Sequence, residues 1–285
     1  MVDVPGPTGP DALRWWGRMA RDPLRAHVAL ARRYGDAARL PLRRGRGYYV
    51  LTRPEAAEHM LVSRHSRYTK AFTIRTVRAF LGDGLLTSDG ELWQRHRRLV
   101  QPAFAHRHVA GFASLMVDAA ARRAAGWRDG DVVDAAAEMR AIALDVVGRA
   151  LFGSEIAEDA GRLGHDLGAL QRGALVGVFL PVRSEDAVRT LARVWPRVGS
   201  AALHLDGLVR RIVETRRVSP HDEPRDLLDL LLRSGLDDGE VRDEVMTLLL
   251  AGHETTANAL TWTWYELGRH PEVLARLVGE LDEVL

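Results

Sequence analysis

"LLLAGHETTANAL", Leu248 to Leu260, is the stretch on which the reading of this chain turns. Mostly apolar side chains run from Val245 to Ala251. Gly252, His253, Glu254, Thr255 and Thr256 then interrupt them, and apolar character returns at Leu260, Trp262 and Trp264. Upstream, Asp237 stands three residues before Glu240, with Asp238, Asp243 and Glu244 nearby, a pattern that starts a helix. The whole segment reads as one helix over about 237–269, roughly 50 Å long at 1.5 Å per residue. A helix that is apolar on most sides over Val245–Ala251 is expected to be buried on most sides there.

The polar interruption has a chemical cost and a chemical use. Glycine inside a helix costs about 1 kcal/mol relative to alanine, and threonine hydroxyls can bond back to the carbonyl one turn earlier. Ala251 and Gly252 remove bulk where Glu254 and Thr255 add proton-handling groups, so the pattern describes a shallow notch; a packing accommodation gives the same pattern. A zinc-protease helix is excluded, because the position that needs a second histidine is Ala257.

Composition sets the outer limits. At 285 residues and 46% hydrophobic content the chain can bury a sizeable core. Its formal charge is only +2, and Lys70 is its one lysine, so the high arginine content reflects composition rather than a ligand. The absence of cysteine excludes disulfides and thiolate sites within these residues. The start, "MVDVPGPTGPDALRWW", has no basic-then-apolar leader, and no apolar run reaches the ~18 residues of a membrane span. The expectation is a soluble, cytoplasmic protein without membrane attachment.

Elsewhere the pattern is mainly helical. The Pro/Gly stretch through Pro10 reads as an extended lead-in, and residues 23–34 as a helix with Leu24, Val28 and Ala31 on one side. "AARLPLRR" and "YYVLTR" read as two strands of a hairpin turning at Gly45–Gly47. Pro54 opens a helix to about Ser63. In "SDGELWQRHRRLVQ", Ser88 and Glu91 have capping-box spacing, and Pro102 bounds the helix that follows. Further helices are expected at about 106–126, 135–152, 157–177, 185–217 and 225–233. The result is one mainly α domain with a small β element near its start.

The residues then carry a resemblance. Ala251-Gly252-His253-Glu254-Thr255-Thr256 resembles the central-helix signature of the cytochrome P450 family. Independently, Trp93 and Arg97 share a face of the preceding capped helix, and "GLLTSDGELWQRHRRLVQPAF" resembles the family's Trp-x-x-x-Arg helix with its Pro-x-Phe exit. The hairpin with "TRPEAAEHML" and the segment "ELGRHPEVLARLVGEL" resemble further pieces, so the likeness covers essentially the whole chain.

This resemblance implies a P450 fold and haem b as cofactor. Trp93 and Arg97 would hold its propionates, and Ala251 and Gly252 would leave room over its face. Glu254 and Thr255 would be the catalytic pair that delivers protons while the O–O bond of dioxygen splits. The implied activity is a bacterial-type, soluble monooxygenase inserting one oxygen atom from O2 into a small apolar substrate. Its electrons would come through a ferredoxin or flavodoxin with its reductase, or another flavoprotein. Segments 65–86 and 165–190 would line the substrate cavity.

The chain departs from the family in one respect that matters chemically. The family's proximal cysteine thiolate and Glu-x-x-Arg helix are absent from these residues. The expectation is therefore a single incomplete P450 domain over 1–285, without a metal ligand of its own and inactive by itself. The alternative is a non-catalytic helical remnant or interaction module. Histidine ligation by His96, His106 and His108 is set against solvated histidines, which the spacing favours. Nucleic-acid binding through "RWWGRMARD" and "WQRHRR" is set against 38 acidic residues facing 40 basic ones.

Overall fold

The computed structural model describes residues 4–42, 46–153, 160–177 and 196–284. These fall into two compact units, 1–69 and 70–285.

In the first unit, Pro10 stands at the start of α1 (Gly9–Arg21), and Asp22 caps α2 (Pro23–Tyr34) by accepting from the Arg25 amide at 3.0 Å. β1 (Ala37–Pro41) and β2 (Gly47–Leu51) pair antiparallel, with Ala37 opposite Leu51 and Pro41 opposite Gly47. α3 (Pro54–Glu58) continues as a π-helical turn to Ser63, so the helix expected from Pro54 forms over its expected length. Trp15, Met19, Ala26, Leu30, Ala38 and Leu40 make the core of this unit.

One expectation fails here. The lead-in already turns helical at Gly9, because Ala12, Trp15 and Met19 repeat at helical spacing and bury together. The inner side of α2 is Ala26 and Leu30; Leu24 and Val28 are 79% and 52% exposed. Both stripes of α2 are apolar, and only the packing of neighbouring elements ranks them. Part of the expected Gly45–Gly47 turn lies outside the described residues.

Among its described residues the second unit consists of helices joined by loops, with no strand. Its elements are α4 (Phe72–Leu81), α5 (Gly90–Val100), α6 (His106–Ala110), α7 (Ala113–Ala124), α8 (Ala135–Phe152), α9 (Ala160–Gly177), α10 (Pro196–Val218), α11 (Leu227–Leu232), α12 (Asp238–Arg269) and α13 (Pro271–Val284). α12 starts as its sequence requires, since Asp237 accepts from the Glu240 amide at 2.8 Å while Glu240 accepts from the Asp237 amide at 3.0 Å. α8 packs along α12 more extensively than any other helix does. Leu151, Phe152, Leu163, Leu205, Leu228, Val241, Val245 and Leu249 fill the core between α8, α9, α10, α11 and α12.

The one helix expected at 106–126 is two, broken at Gly111–Phe112. The expected start of α5 is also corrected. Its N-cap is Asp89, with no side-chain cap bond, and the Ser88 hydroxyl instead donates to the Gly84 carbonyl at 2.9 Å. Lys70 takes up the capping oxygens of this turn: its amide donates to Asp89, and its ammonium donates to the Leu85 and Ser88 carbonyls at 2.7 and 2.6 Å. Residues 157–159 and 185–195 of the expected helices lie outside the described residues.

One charged cluster is buried in this core. Arg216 on α10 donates to Asp226 at 2.9 Å and Asp229 at 2.6 Å, all three side chains being at most 3% exposed. Asp226 also caps α11, and His221 lies 2.8 Å from Asp229. His221, Asp226 and Asp229 are close enough together to hold a cation, but the Arg216 guanidinium already supplies the positive charge between the carboxylates.

Candidate functional site

From Leu249 to Asn258 α12 is two-faced, and beyond Ala257 most of its residues are exposed. Leu249, His253 and Ala257 are buried on one side, while Ala251, Thr255, Asn258 and Trp262, at i, i+4, i+7 and i+11, form an exposed stripe on the other. The expected burial on most sides thus holds for Val245–Leu249 and ends at Ala251, where the polar residues begin. Thr255 Oγ1 donates to the Ala251 carbonyl at 2.7 Å, one turn back. Its hydroxyl proton is therefore engaged, and its lone pairs face the open side as acceptors. Glu254 is half-buried beside the stripe and makes no ion pair among the described residues.

Gly252 does different work from Ala251. A Cβ built there would meet Val147 Cγ2 of α8 at 2.9 Å. Its small size lets α8 approach α12, whereas Ala251 keeps the exposed face low. His253 faces the packed side, 4% exposed, and its Nδ1 has no hydrogen-bond partner among the described residues. Burial first, and then the nearby Arg140 charge, lower its basicity. It borders a cavity of about 500 Å³ shared with Ala119, Arg140, Leu144 and Gly164.

Trp93 is half-buried and Arg97 exposed on α5, as their i, i+4 spacing placed them on one face. The Arg97 guanidinium lies over the indole, 5.2 Å from the ring centroid. It makes no ion pair among the described residues, and the Trp93 indole N–H finds no acceptor there. Arg95, two residues earlier, is by contrast engaged by Glu240.

What sequence reasoning missed is the joint between these two helices. His96 is fully buried, which corrects the expectation of a solvated histidine. Its Nδ1 lies 2.7 Å from Glu244 Oε1 and its Nε2 3.3 Å from Glu240 Oε1, both carboxylates coming from α12. Glu244, also fully buried, accepts from the Leu85 amide at 3.2 Å with its other oxygen, and Asp243 accepts from the Asp83 amide at 2.6 Å. These acidic residues tie the 82–88 loop and α5 to α12, beyond the helix-start role that their position implies. A signal was present: a glutamate on the apolar stripe between Val241 and Leu249 requires a buried partner.

The electrostatics of the joint follow from this burial. Arg95, aided by the Asp237 amide and His96, holds the Glu240 carboxyl at about 2, whereas burial pushes Glu244 above the ordinary carboxylate range against the pull of His96 and the Leu85 amide. Because the Glu240 value is depressed, the stability it contributes is present above its ordinary value of 4.5 and is lost as pH falls toward about 2. Acid titration of the folded chain is expected to show a stability decrease in that window that Glu240→Gln removes. An unchanged acid profile in the variant would contradict the assignment.

Of the segments expected to line a substrate cavity, 178–190 lie outside the described residues. Among the described residues, no helix is long and apolar enough to cross a membrane.

Comparison with known proteins adds a family. Residues 8–285 match the family model described as Cytochrome P450. Cyclooctatin synthase from Streptomyces melanosporofaciens is 34% identical over 275 residues, covering 94% of this chain and 59% of that protein. Cyclooctat-9-en-7-ol 5-monooxygenase from the same organism is 32% identical over 262 residues, 88% of this chain and 56% of its own length. Pentalenene oxygenase from Streptomyces avermitilis is 34% identical over 247 residues, 83% and 54% respectively. The chain thus spans between half and three fifths of the length of these relatives. Similar proteins occur in bacteria and in a plant, which widens the bacterial-type expectation.

Proposed function

Since this chain belongs to the cytochrome P450 family, we propose that it forms the dioxygen-side wall and part of the cofactor cradle of a haem monooxygenase. The proposed activity of the whole protein inserts one atom of O2 into a small apolar substrate. The relatives named for cyclooctat-9-en-7-ol and pentalenene support a ring-bearing, terpenoid-like substrate class. Electrons are proposed to arrive from a ferredoxin or flavodoxin with its reductase, or from another flavoprotein.

The observation that carries this reading is the open stripe of α12. At Ala251, Thr255 and Asn258 the helix turns small and polar side chains outward, while Leu249, His253 and Ala257 are packed on its opposite side. Haem, proposed as haem b, supplies the chemistry that activates dioxygen when bound. The residues present fit its periphery: Ala251 keeps the face low, Arg97 offers a guanidinium with no carboxylate partner among the described residues, and Trp93 offers a free indole N–H beside it. A thiolate for the iron is not among these 285 residues.

The chain's own chemistry lies in Glu254 and Thr255. A half-buried carboxylate without an ion-pair partner can take a proton from solvent and release it on the open face. Thr255, its proton held by the Ala251 carbonyl, accepts from a donor at Oγ1 and so orients that donor along the stripe.

In a catalytically competent protein carrying this segment, Thr255→Ala is expected to cut product formation per O2 consumed. The loss should be roughly 10²-fold, the lower end for a positioned proton-handling group, with peroxide rising in its place. Measuring product and peroxide together tests this, and an unchanged ratio would count against the role.

A further inference from the structure

We propose that His96 and Glu244 form a buried, proton-dependent latch that positions the Trp93–Arg97 face of α5 on α12. Both are then positioning residues for the anion grip assigned above to Arg97, and the inference rests on that reading.

The geometry has three parts. Glu240 and Glu244, one turn apart on α12, receive the two ring nitrogens of His96 at 3.3 and 2.7 Å. His96 and Glu244 are both fully buried, so water cannot replace the contact between them, whereas Glu240 is partly exposed. On the wheel of α5, Trp93 and Arg97 lie roughly 60° and 100° round from His96 at 100° per residue. The roll of α5 that His96 sets is therefore carried directly to the Arg97 guanidinium, which is exposed and has only Trp93 beneath it.

The proton count makes the latch sensitive to pH. A neutral imidazole has one N–H and one lone pair, yet here both nitrogens face carboxylate oxygens. Closing both contacts needs one proton more than a neutral histidine between two carboxylates provides, carried by the ring or by Glu244. The charged groups that face the pair are Glu240 and Asp243 from α12, Arg95 from α5 and Lys70 from the turn before α5, with Asp237 and Asp89 behind Arg95 and Lys70. Arg95 is committed to Glu240, and Lys70 donates to the Leu85 and Ser88 carbonyls, so none of them replaces the shared proton. Because burial raises the Glu244 value, the stabilisation is present at low pH and is lost as pH rises through that raised value. Loss of the proton sets a lone pair against a carboxylate and loosens α5, while the Leu85 amide, which favours the ionised carboxylate, stays on Glu244.

Glu244→Gln separates a latch from a passive staple. A glutamine amide donates to His96 Nδ1 while the ring donates from Nε2 to Glu240, and its carbonyl still accepts from the Leu85 amide. Closure then needs no extra proton. The test is amide hydrogen exchange of residues 85–100 from pH 4.5, the ordinary glutamate value, upward to about 9, corrected for intrinsic rates, with haemin titrated by its Soret absorbance under the same conditions.

The wild-type chain is expected to lose protection in 85–100 and to bind haemin about fivefold to tenfold more weakly as pH rises. Glu244→Gln should keep protection and lose this pH dependence; His96→Gln should be poorly protected at every pH. A wild-type exchange profile that is flat with pH, or a Glu244→Gln profile with the wild-type slope, would overturn the latch. Haemin affinity that is unaltered in Arg97→Ala, with the exchange behaviour as expected, would instead overturn the anion-grip reading. The wild-type profile stands as a test even if His96→Gln fails to fold.

Discussion

Replacing Arg216 with methionine is expected to lower the folding stability by about 3–5 kcal/mol, the cost of leaving buried charge without its partner. Arg216 donates to both Asp226 and Asp229, and all three are almost completely buried. Methionine fills much of the volume but leaves two carboxylates facing one another. Burial already pushes the Asp226 carboxyl upward, so without the guanidinium it should take up a proton in the folded state. Part of the lost stability should return at low pH or on Asp226→Asn in the Arg216→Met background. Urea denaturation measures this, and a loss below about 1 kcal/mol would show that the cluster is not a keystone of the α10–α11 packing.

Glu244→Leu is the second large effect, again expected at about 3–5 kcal/mol. The leucine packs acceptably among Val241, Val245 and Leu249 but leaves His96 Nδ1 and the Leu85 amide without partners in a fully buried site. Glu254→Leu, ten residues further on the same helix, is expected to change stability by less than about 0.5 kcal/mol, since Glu254 is half-buried and unpaired among the described residues. Two glutamates on one helix are therefore expected to separate: one holds the fold, and the other, the proposed proton-handling group, does not. Equal losses from the two substitutions would contradict that division.

Legibility in the sequence followed the range over which each signal acts. Local signals read well. The capping box at Asp237 and Glu240 formed, α8 occupies the expected 135–152, and α2 the expected 23–34. The i, i+4 pairs Ala251–Thr255 and Trp93–Arg97 each share one exposed or half-exposed face as their spacing requires. Competition between signals read poorly. The Ser88 hydroxyl had two possible acceptors, and the loop geometry at Gly84 prevailed over the cap. On α2 the sequence carries two apolar stripes and does not rank them; Ala26 and Leu30 are buried, Leu24 and Val28 exposed.

Long-range pairing was not legible at all. His96 and Glu244 are 148 residues apart, and neither carries a local mark of the other. What the sequence contained was half of the problem: an acidic side chain on a buried stripe must be neutralised, though nothing local says by which residue. The same holds for Gly252, whose small size serves Val147 on another helix as well as the polar knot beside it. Bulk is removed at Gly252, and on that side the beneficiary is helix packing.

The most direct test of the account is a haemin titration of the chain and of Arg97→Ala, followed by the Soret band. The account predicts that the chain binds haemin and shifts the band, and that removing the unpaired guanidinium weakens binding about 10- to 100-fold, as loss of a charge-assisted hydrogen bond worth about 1.5–3 kcal/mol requires. A band that does not shift with the wild-type chain, or equal affinity in the variant, would contradict the claim that α5 and α12 form part of a haem cradle.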